Sequence, residues 1–146
     1  MRNKLKYICI VISVFFTLSF SYNFYQYKKI KDYEEELKTN VSKNLQNFAG
    51  ITGNIDNDTA YSEQYASIVA AQESYLILSD NNGIPSEEWS SSLPGLFIEI
   101  KSVMLNDKEK FEKSFKGTGA SELIFKISDN FEDKDSIRKI YELLIK

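Results

Sequence analysis

The side chains that most often carry out acid–base and metal chemistry are scarce in this chain. It contains no histidine and one cysteine, Cys9, among 146 residues. Imidazole ligands, imidazole bases and nucleophile pairs that depend on histidine are therefore excluded. A single cysteine also excludes an internal disulfide and a thiolate zinc site. We expect no metal and no cofactor, and we predict that the protein is not an enzyme.

Asn54, Asp56 and Asp58 have the spacing of the first ligands of an EF-hand calcium loop. That loop needs glycine at its sixth position and glutamate at its twelfth, where this chain has Thr59 and Tyr65. The pattern is better explained by a helix N-cap in this region, because aspartate and asparagine are strong capping residues.

Carboxylates next to an aromatic residue suggest a second chemistry, the cleavage of glycosidic bonds in a cell wall. Glu87 and Glu88 precede Trp89, and Glu99 follows ten residues later. Adjacent carboxylates on a helix point in different directions, so Glu87 and Glu88 cannot flank one bond. We therefore interpret them as the solvated start of a helical turn. A cell-wall hydrolase ranks third among the functions considered, after a protein-interaction module and a small-ligand sensor.

Three tyrosines, Tyr61, Tyr65 and Tyr75, recur at helical spacing. They either line a core with their hydroxyl groups at its rim or form a contact face, since tyrosine is enriched in interfaces. Together with Leu37 and Val41, they are the residues that we predict to contact a partner.

The element that comes before all of these is an apolar segment at the N-terminus. A basic tail, residues 1–6, is followed by 21 residues without charge, 7–27. A helix of that length covers about 30 Å, the thickness of the hydrocarbon core of a bilayer. We predict a transmembrane helix that acts as an uncleaved signal anchor.

Aromatic and basic residues flank this segment where it would leave the membrane. Such residues anchor a helix at the lipid–water interface. The predicted anchors are Lys6, Tyr22, Tyr25, Tyr27, Lys28 and Lys29.

Two alternatives remain for the segment. Ser19 and Ser21 are small residues where a signal peptidase would need them, which would release a secreted protein beginning near Tyr22. A buried core helix of a soluble protein is the other alternative.

The basic tail favours a cytoplasmic N-terminus and an extracytoplasmic C-terminal domain, although basic residues also follow the segment.

Residues 28–50 carry a helical stripe that steps by 3, 4, 4, 4 and 3: Ile30, Tyr33, Leu37, Val41, Leu45 and Phe48. The stripe either packs within its own domain or associates with another copy or a neighbouring membrane protein. The repeated steps of four depart from the 3.5-residue repeat of a coiled coil.

Residues 51–146 are predicted to form an acidic helical domain packed with 28–50. From Asp32 onward the chain has 12 basic and 21 acidic residues, a net charge of −9, which disfavours nucleic-acid binding. Helical stripes recur between a turn at Asp80–Pro85, a break at Asn106–Asp107 and the glycines Gly117 and Gly119. Leu96–Lys101 and Leu123–Ser128 also fit short strands, but their stripes extend beyond strand length.

The sequence thus predicts an all-α protein, a transmembrane helix followed by a bundle of four to five helices. We expect a single-pass protein of the cell membrane whose extracytoplasmic domain acts by protein–protein contact. The expected partners are membrane lipid and either another membrane or envelope protein or a second copy, and not nucleic acid. A small-ligand sensor domain is the alternative function.

Overall fold

The computed structural model describes residues 2–52, 57–79 and 86–146, and no strand occurs within those ranges. They contain six α-helices and the 3₁₀ segment Ser86–Ser91. The helices are α1 (Arg2–Ile51), α2 (Asp58–Leu78), α3 (Leu93–Asn106), α4 (Lys108–Phe115), α5 (Ala120–Asp129) and α6 (Lys134–Ile145). The predicted all-α fold is confirmed. Asn54, Asp56 and the turn at Asp80–Pro85 lie outside the described residues.

The chain divides into two compact units, Met1–Glu36 and Leu37–Lys146. The first unit consists of the N-terminal part of α1. The second unit, the helical domain, contains the C-terminal part of α1 and the remaining helices. The predicted segments 7–27 and 28–50 both lie on α1, which continues through residue 27 and includes Gly50.

Side-chain caps explain where several helices begin. Asn57 Oδ1 accepts from the backbone N–H of Thr59 at 2.9 Å, so Asn57 is the N-cap of α2, in the region where the sequence predicts one. Asp107 caps α4 by accepting from the N–H of Lys110 at 2.9 Å, at the predicted break. These caps satisfy N–H groups that the first turn of a helix leaves without a partner.

Inside the helical domain, α2 and α3 run antiparallel. Tyr61, near the start of α2, donates to the backbone oxygen of Met104, near the end of α3, at 2.7 Å. Tyr75, near the end of α2, packs edge-on against Phe97, near the start of α3, with ring centroids 6.0 Å apart. Both stretches that also fitted strands are helical, within α3 and α5.

α5 runs antiparallel to the last part of α1. The hydroxyl groups of Thr52 and Ser121 are hydrogen-bonded, and Gln46 Nε2 donates to Ser128 Oγ at 3.3 Å. The domain therefore has two ends. We call them the Lys38 end, where the domain continues from Glu36, and the Thr52 end, where α1 stops.

One contiguous core joins the helices of this domain. Its aromatic centre is formed by Phe48, Phe111 and Phe115, which pack with ring centroids 4.7 to 6.1 Å apart. Aliphatic side chains from α1, α2, α3, α5 and α6 complete the core, among them Leu45, Ile68, Ile100, Ile124, Ile127, Ile137, Ile140 and Leu144. Burial of these side chains is the main stabilising contribution to the domain.

Candidate interaction surfaces

The first unit exposes a continuous apolar surface. α1 contains an 18-residue window with a mean hydropathy of 1.7, and none of that window is buried. It is the one helix among the described residues that is long and apolar enough to cross a membrane. Signal sequences and buried helices of soluble proteins pass the same test of length and composition. This window does not behave as a buried helix, because none of it is buried in the described structure.

All six predicted membrane-interface anchors lie on α1 with exposed side chains. Tyr22, Tyr25 and Tyr27 form one group, and Lys28 and Lys29 follow directly. Lys6 lies on the other side of the uncharged segment. Sequence order and helical structure thus separate a basic residue at one end from an aromatic and basic group at the other, as an interfacial belt requires.

The predicted stripe on α1 changes its environment along the helix. Ile30 and Tyr33 are 57% and 60% exposed, Leu37 is half-buried, and Val41 is fully buried. The interpretation of packing within the domain therefore describes the stripe from Val41 onward. Val41 cannot reach a partner without opening the core, whereas Ile30 and Tyr33 have no such constraint.

Tyr61 is held by contacts within the domain. Its ring packs edge-on against Phe111, with centroids 5.7 Å apart, and Lys108 Nζ lies 4.9 Å from its ring centroid. Burial, with a smaller effect from Glu112, raises the pKa of the Tyr61 hydroxyl, which donates to the backbone oxygen of Met104. Its role in the described contacts is that of a core residue with its hydroxyl group at the rim.

Tyr75 and Tyr65 are also packed against the core. Tyr75 makes edge contacts with Phe97 and Phe131, and burial, followed by the charge of Glu132, raises the pKa of its hydroxyl. α5 ends at Asp129, so Phe131 lies in the connection to α6, and its ring reaches Tyr75 from there. Contact of the tyrosines with a partner stays a prediction.

A buried polar residue, Gln64, was missed in the sequence analysis. Its side chain is fully buried, and its Nε2 donates to the backbone oxygen of Phe48 at 3.1 Å. Its Oε1 has no hydrogen-bond partner among the described residues. The bond satisfies a carbonyl in the last turn of α1, and Thr52 does the same for Ala49 at 2.6 Å. The available signal was a glutamine between Tyr61 and Ile68 on one face of α2.

An open groove of about 740 Å³ lies at the Lys38 end of the helical domain. Its wall is shared by α1, the last turn of α2 and the α5–α6 connection, and includes Lys38, Lys43, Tyr75, Asp129, Phe131 and Glu132. Both charge signs and two aromatic rings line it. Sequence reasoning could not find this groove, because its wall combines segments that are far apart along the chain.

The two described carboxylates considered for catalysis, those of Glu88 and Glu99, lie on different elements. Glu88 Oε2 is 3.3 Å from Lys134 Nζ, in an exposed ion pair, while Glu99 lies on α3. The side chain of Glu87 lies outside what the structure describes. Asp58, the last residue of the EF-hand-like pattern, pairs with Lys108 at 3.2 Å. Within the described part of the chain, no three potential ligands are close enough to hold a metal ion.

Comparison of the chain with protein-family models, with curated proteins and with solved structures found no match in any of the three. The functional conclusions therefore rest on the residues, contacts and exposed surfaces described above.

Proposed function

We propose that the protein is a single-pass membrane protein whose helical domain is held at the extracytoplasmic face of the cell membrane and acts there by binding another envelope protein. The observation that carries the proposal is the apolar window of α1, none of which is buried, on the same chain as a separately packed domain. An apolar surface of that extent is costly in water and favourable in lipid.

The helical structure of residues 7–27 supports membrane insertion in addition to their apolar character. A segment that crosses lipid must satisfy its backbone N–H and C=O groups internally, and a single span can do so only as a helix. Residues 7–27 lie wholly within α1. Thr17 Oγ1 donates to the backbone oxygen of Ser13 at 2.9 Å, so this polar side chain also finds a partner within the helix.

A binding role for the domain is supported by its surface. Ile77 on α2 and Leu105 on α3 are 69% and 68% exposed, although both belong to helices that otherwise contribute to the core. Exposed apolar side chains of this size are frequent at protein contacts, although single ones also occur elsewhere. The negative charge that begins at Asp32 favours a protein partner over nucleic acid or anionic lipid.

Site-specific photocrosslinking of the full-length chain in membranes tests this role. Ile77 and Leu105 lie near opposite ends of the antiparallel α2–α3 pair, so a photoreactive residue at either position should give an adduct of one defined mass, whereas a photoreactive residue at Glu122 or Glu142 should not. The matched controls are exposed positions on α5 and α6 of the same domain. Equal adducts at all four positions, or none at any, would contradict a specific partner.

The groove at the Lys38 end supports a second candidate, a small-ligand sensor domain. Its volume of about 740 Å³ is within the range of ligand sites, roughly 300–1,000 Å³. A thermal-shift screen of the full-length protein should then yield a ligand whose effect is lost in Phe131→Ala. If Phe131→Ala leaves the shift of every hit unchanged, the groove is not the ligand site.

A further inference from the structure

One face of α1 within the first unit presents residues at the alternating steps of three and four that a heptad requires. We call it the heptad seam, and its residues succeed each other in steps of 3, 4, 3, 4 and 3: Phe16, Ser19, Asn23, Gln26, Ile30 and Tyr33. The same steps extend it back to Ile12 and Cys9. A strict seven-residue repeat drifts by about 20° per heptad on a straight helix, and a left-handed coil of two helices corrects the drift.

The departure from this repeat begins where the folded domain begins. Leu37 still follows Tyr33 by four residues, but the next steps, to Val41 and Leu45, are also four. Val41 and Leu45 are fully buried in the domain, whereas Ile30 and Tyr33 are exposed. After Leu37, the residues of the stripe pack into the core of the helical domain. Before Leu37, the residues of the seam have no packing partner among the described residues.

Polar residues on the seam require a partner of matching chemistry. Asn23 and Gln26 fall within the uncharged segment 7–27, on the same face as Ser19. Gln26 Nε2 donates to Tyr22 Oη at 2.8 Å, while Asn23 makes no side-chain hydrogen bond among the described residues. An amide without a partner is costly in an apolar medium, and asparagine can pair with itself across two helices at the same depth. A central asparagine is also a known determinant of the register of paired helices.

Charges beside the seam distinguish a parallel second copy from other partners. With Asn23 and Ile30 at heptad position a, Lys29 occupies position g and Glu34 occupies position e. In a parallel in-register pair, g of one helix faces the following e of the other, so Lys29 meets Glu34 twice by symmetry. Both side chains are exposed, and neither forms an ion pair with a described residue of its own chain.

We infer that a second copy of this chain covers the heptad seam in a parallel, in-register, two-helix coil. The inference rests on the proposed membrane insertion and adds a partner for the first unit. The seam matches itself in three ways: apolar residues at Phe16, Ile30 and Tyr33, the Asn23 amides at equal depth, and the two Lys29–Glu34 pairs.

Disulfide trapping in phospholipid vesicles tests the seam directly. In full-length protein carrying Cys9→Ala, single cysteines at Ile30 and Tyr33 are compared with cysteines at Lys28 and Asp32 on the opposite side of the helix. Brief oxidation with copper phenanthroline should give at least fivefold more covalent dimer at Ile30 and Tyr33. Equal trapping at all four positions, or dimer only at Lys28 and Asp32, would overturn the seam.

Charge reversal tests orientation and register. Lys29→Glu alone and Glu34→Lys alone should each lower trapping at Ile30→Cys by about threefold to tenfold, because each change replaces two exposed ion pairs with repulsion. The double variant should restore the wild-type level within about twofold. Lys28→Glu is the matched control and should have little effect. Loss of trapping that persists in the double variant would overturn the parallel register.

Two further readouts separate this inference from membrane insertion itself. If alkaline carbonate extracts the chain from the vesicles, membrane insertion fails and the inference fails with it. If the chain resists extraction but single cysteines at Thr17 and Ser21 trap dimer while cysteines at Ile30 and Tyr33 do not, the helix face that carries Thr17 and Ser21 is the contact and only the seam is overturned.

Discussion

The side chain of Gln64 lies fully inside the helical domain, and its Oε1 has no hydrogen-bond partner among the described residues. Its Nε2 serves the last turn of α1 through the backbone oxygen of Phe48, so this one residue ties α2 to the end of α1. Leaving a buried acceptor without a partner costs about 1–3 kcal/mol. The same side chain makes the favourable hydrogen bond to Phe48, so the domain carries both contributions to its stability.

Replacement of Gln64 with glutamate should make the stability of the domain depend on pH. An ionised carboxylate cannot donate to Phe48, and its burial in an apolar core disfavours the charged form. The pKa of the new carboxyl should therefore be higher in the folded than in the unfolded state, so the domain should be most stable below the unfolded value and lose stability as pH rises.

Urea unfolding of full-length Gln64→Glu in detergent, at pH 4 and pH 7, measures this effect through the fluorescence of Trp89, the only tryptophan. Gln64→Met is the uncharged control and should show no such dependence on pH. A Gln64→Glu protein as stable as wild type at pH 7 would mean that the side chain is not buried.

Asp133 should contribute stability that acid removes. Its carboxylate accepts from the hydroxyl of Ser136 at 2.6 Å and from the N–H of Ser136 at 3.1 Å, and these bonds hold the pKa of Asp133 below its ordinary value of 3.8. The folded pKa is the lower one, so the contribution is present above pH 3.8 and is lost as pH falls through the folded value.

Asp133→Ala should cost about 1 kcal/mol at pH 7, the usual effect of losing an N-cap. Asp133→Asn keeps the cap and removes the titration, so it should stay within a few tenths of a kcal/mol at pH 7 and lose its share of the acid dependence. Unfolding curves at pH 7 and pH 3 check both. Identical pH dependence in wild type and Asp133→Asn would contradict the assignment.

At the level of elements, Gly95 sets how closely α3 approaches the preceding 3₁₀ segment. A Cβ atom at this position would lie 2.1 Å from the backbone oxygen of Trp89, a distance that the backbone cannot accept without moving. Gly50 on α1 is the matched control, because a Cβ there would meet nothing within 4 Å.

Gly95→Ala should therefore lower the free energy of unfolding by about 1–3 kcal/mol, as overpacking does. Gly50→Ala should leave it unchanged or raise it by up to about 1 kcal/mol, because alanine favours a helix over glycine. Thermal denaturation of the two full-length variants measures the difference. Equal effects would show that α3 and the 3₁₀ segment do not approach so closely.

The two parts of the α1 stripe should respond differently to truncation. Leu45→Ala removes a fully buried side chain and should cost about 2–5 kcal/mol. Ile30→Ala removes an exposed side chain and should change the unfolding of the helical domain by no more than about 0.5 kcal/mol. Denaturant titration through Trp89 compares them, and similar losses in both variants would contradict the division of the helix.

Local patterns predicted much of this arrangement from sequence. Capping residues such as Asn57 and Asp107 accept from N–H groups two or three residues further along the chain. A stretch of about four residues therefore determines where a helix begins. The groove beside Tyr75 and the contact of Phe131 depend on packing between distant segments, which periodicity does not encode. The stripe from Ile30 to Phe48 looks uniform in sequence, and only the folded domain decides where it becomes buried.

The two units of the chain differ in how their apolar surface is removed from water. The helical domain buries its core internally, around Phe48, Phe111 and Phe115. The first unit leaves its apolar residues exposed; we propose that lipid buries them and infer that a second copy covers one face. The acidic character from Asp32 onward keeps the remaining surface hydrated.

We propose that residues 7–27 remain on the mature chain and hold it in the membrane. Intact mass measurement of the protein from alkali-washed membranes, combined with protease treatment of intact cells, decides whether they do. We predict that the mature chain retains residues 7–27, resists extraction and loses its helical domain to external protease. A mature chain that begins at Tyr22 and is recovered in the soluble fraction would contradict the account.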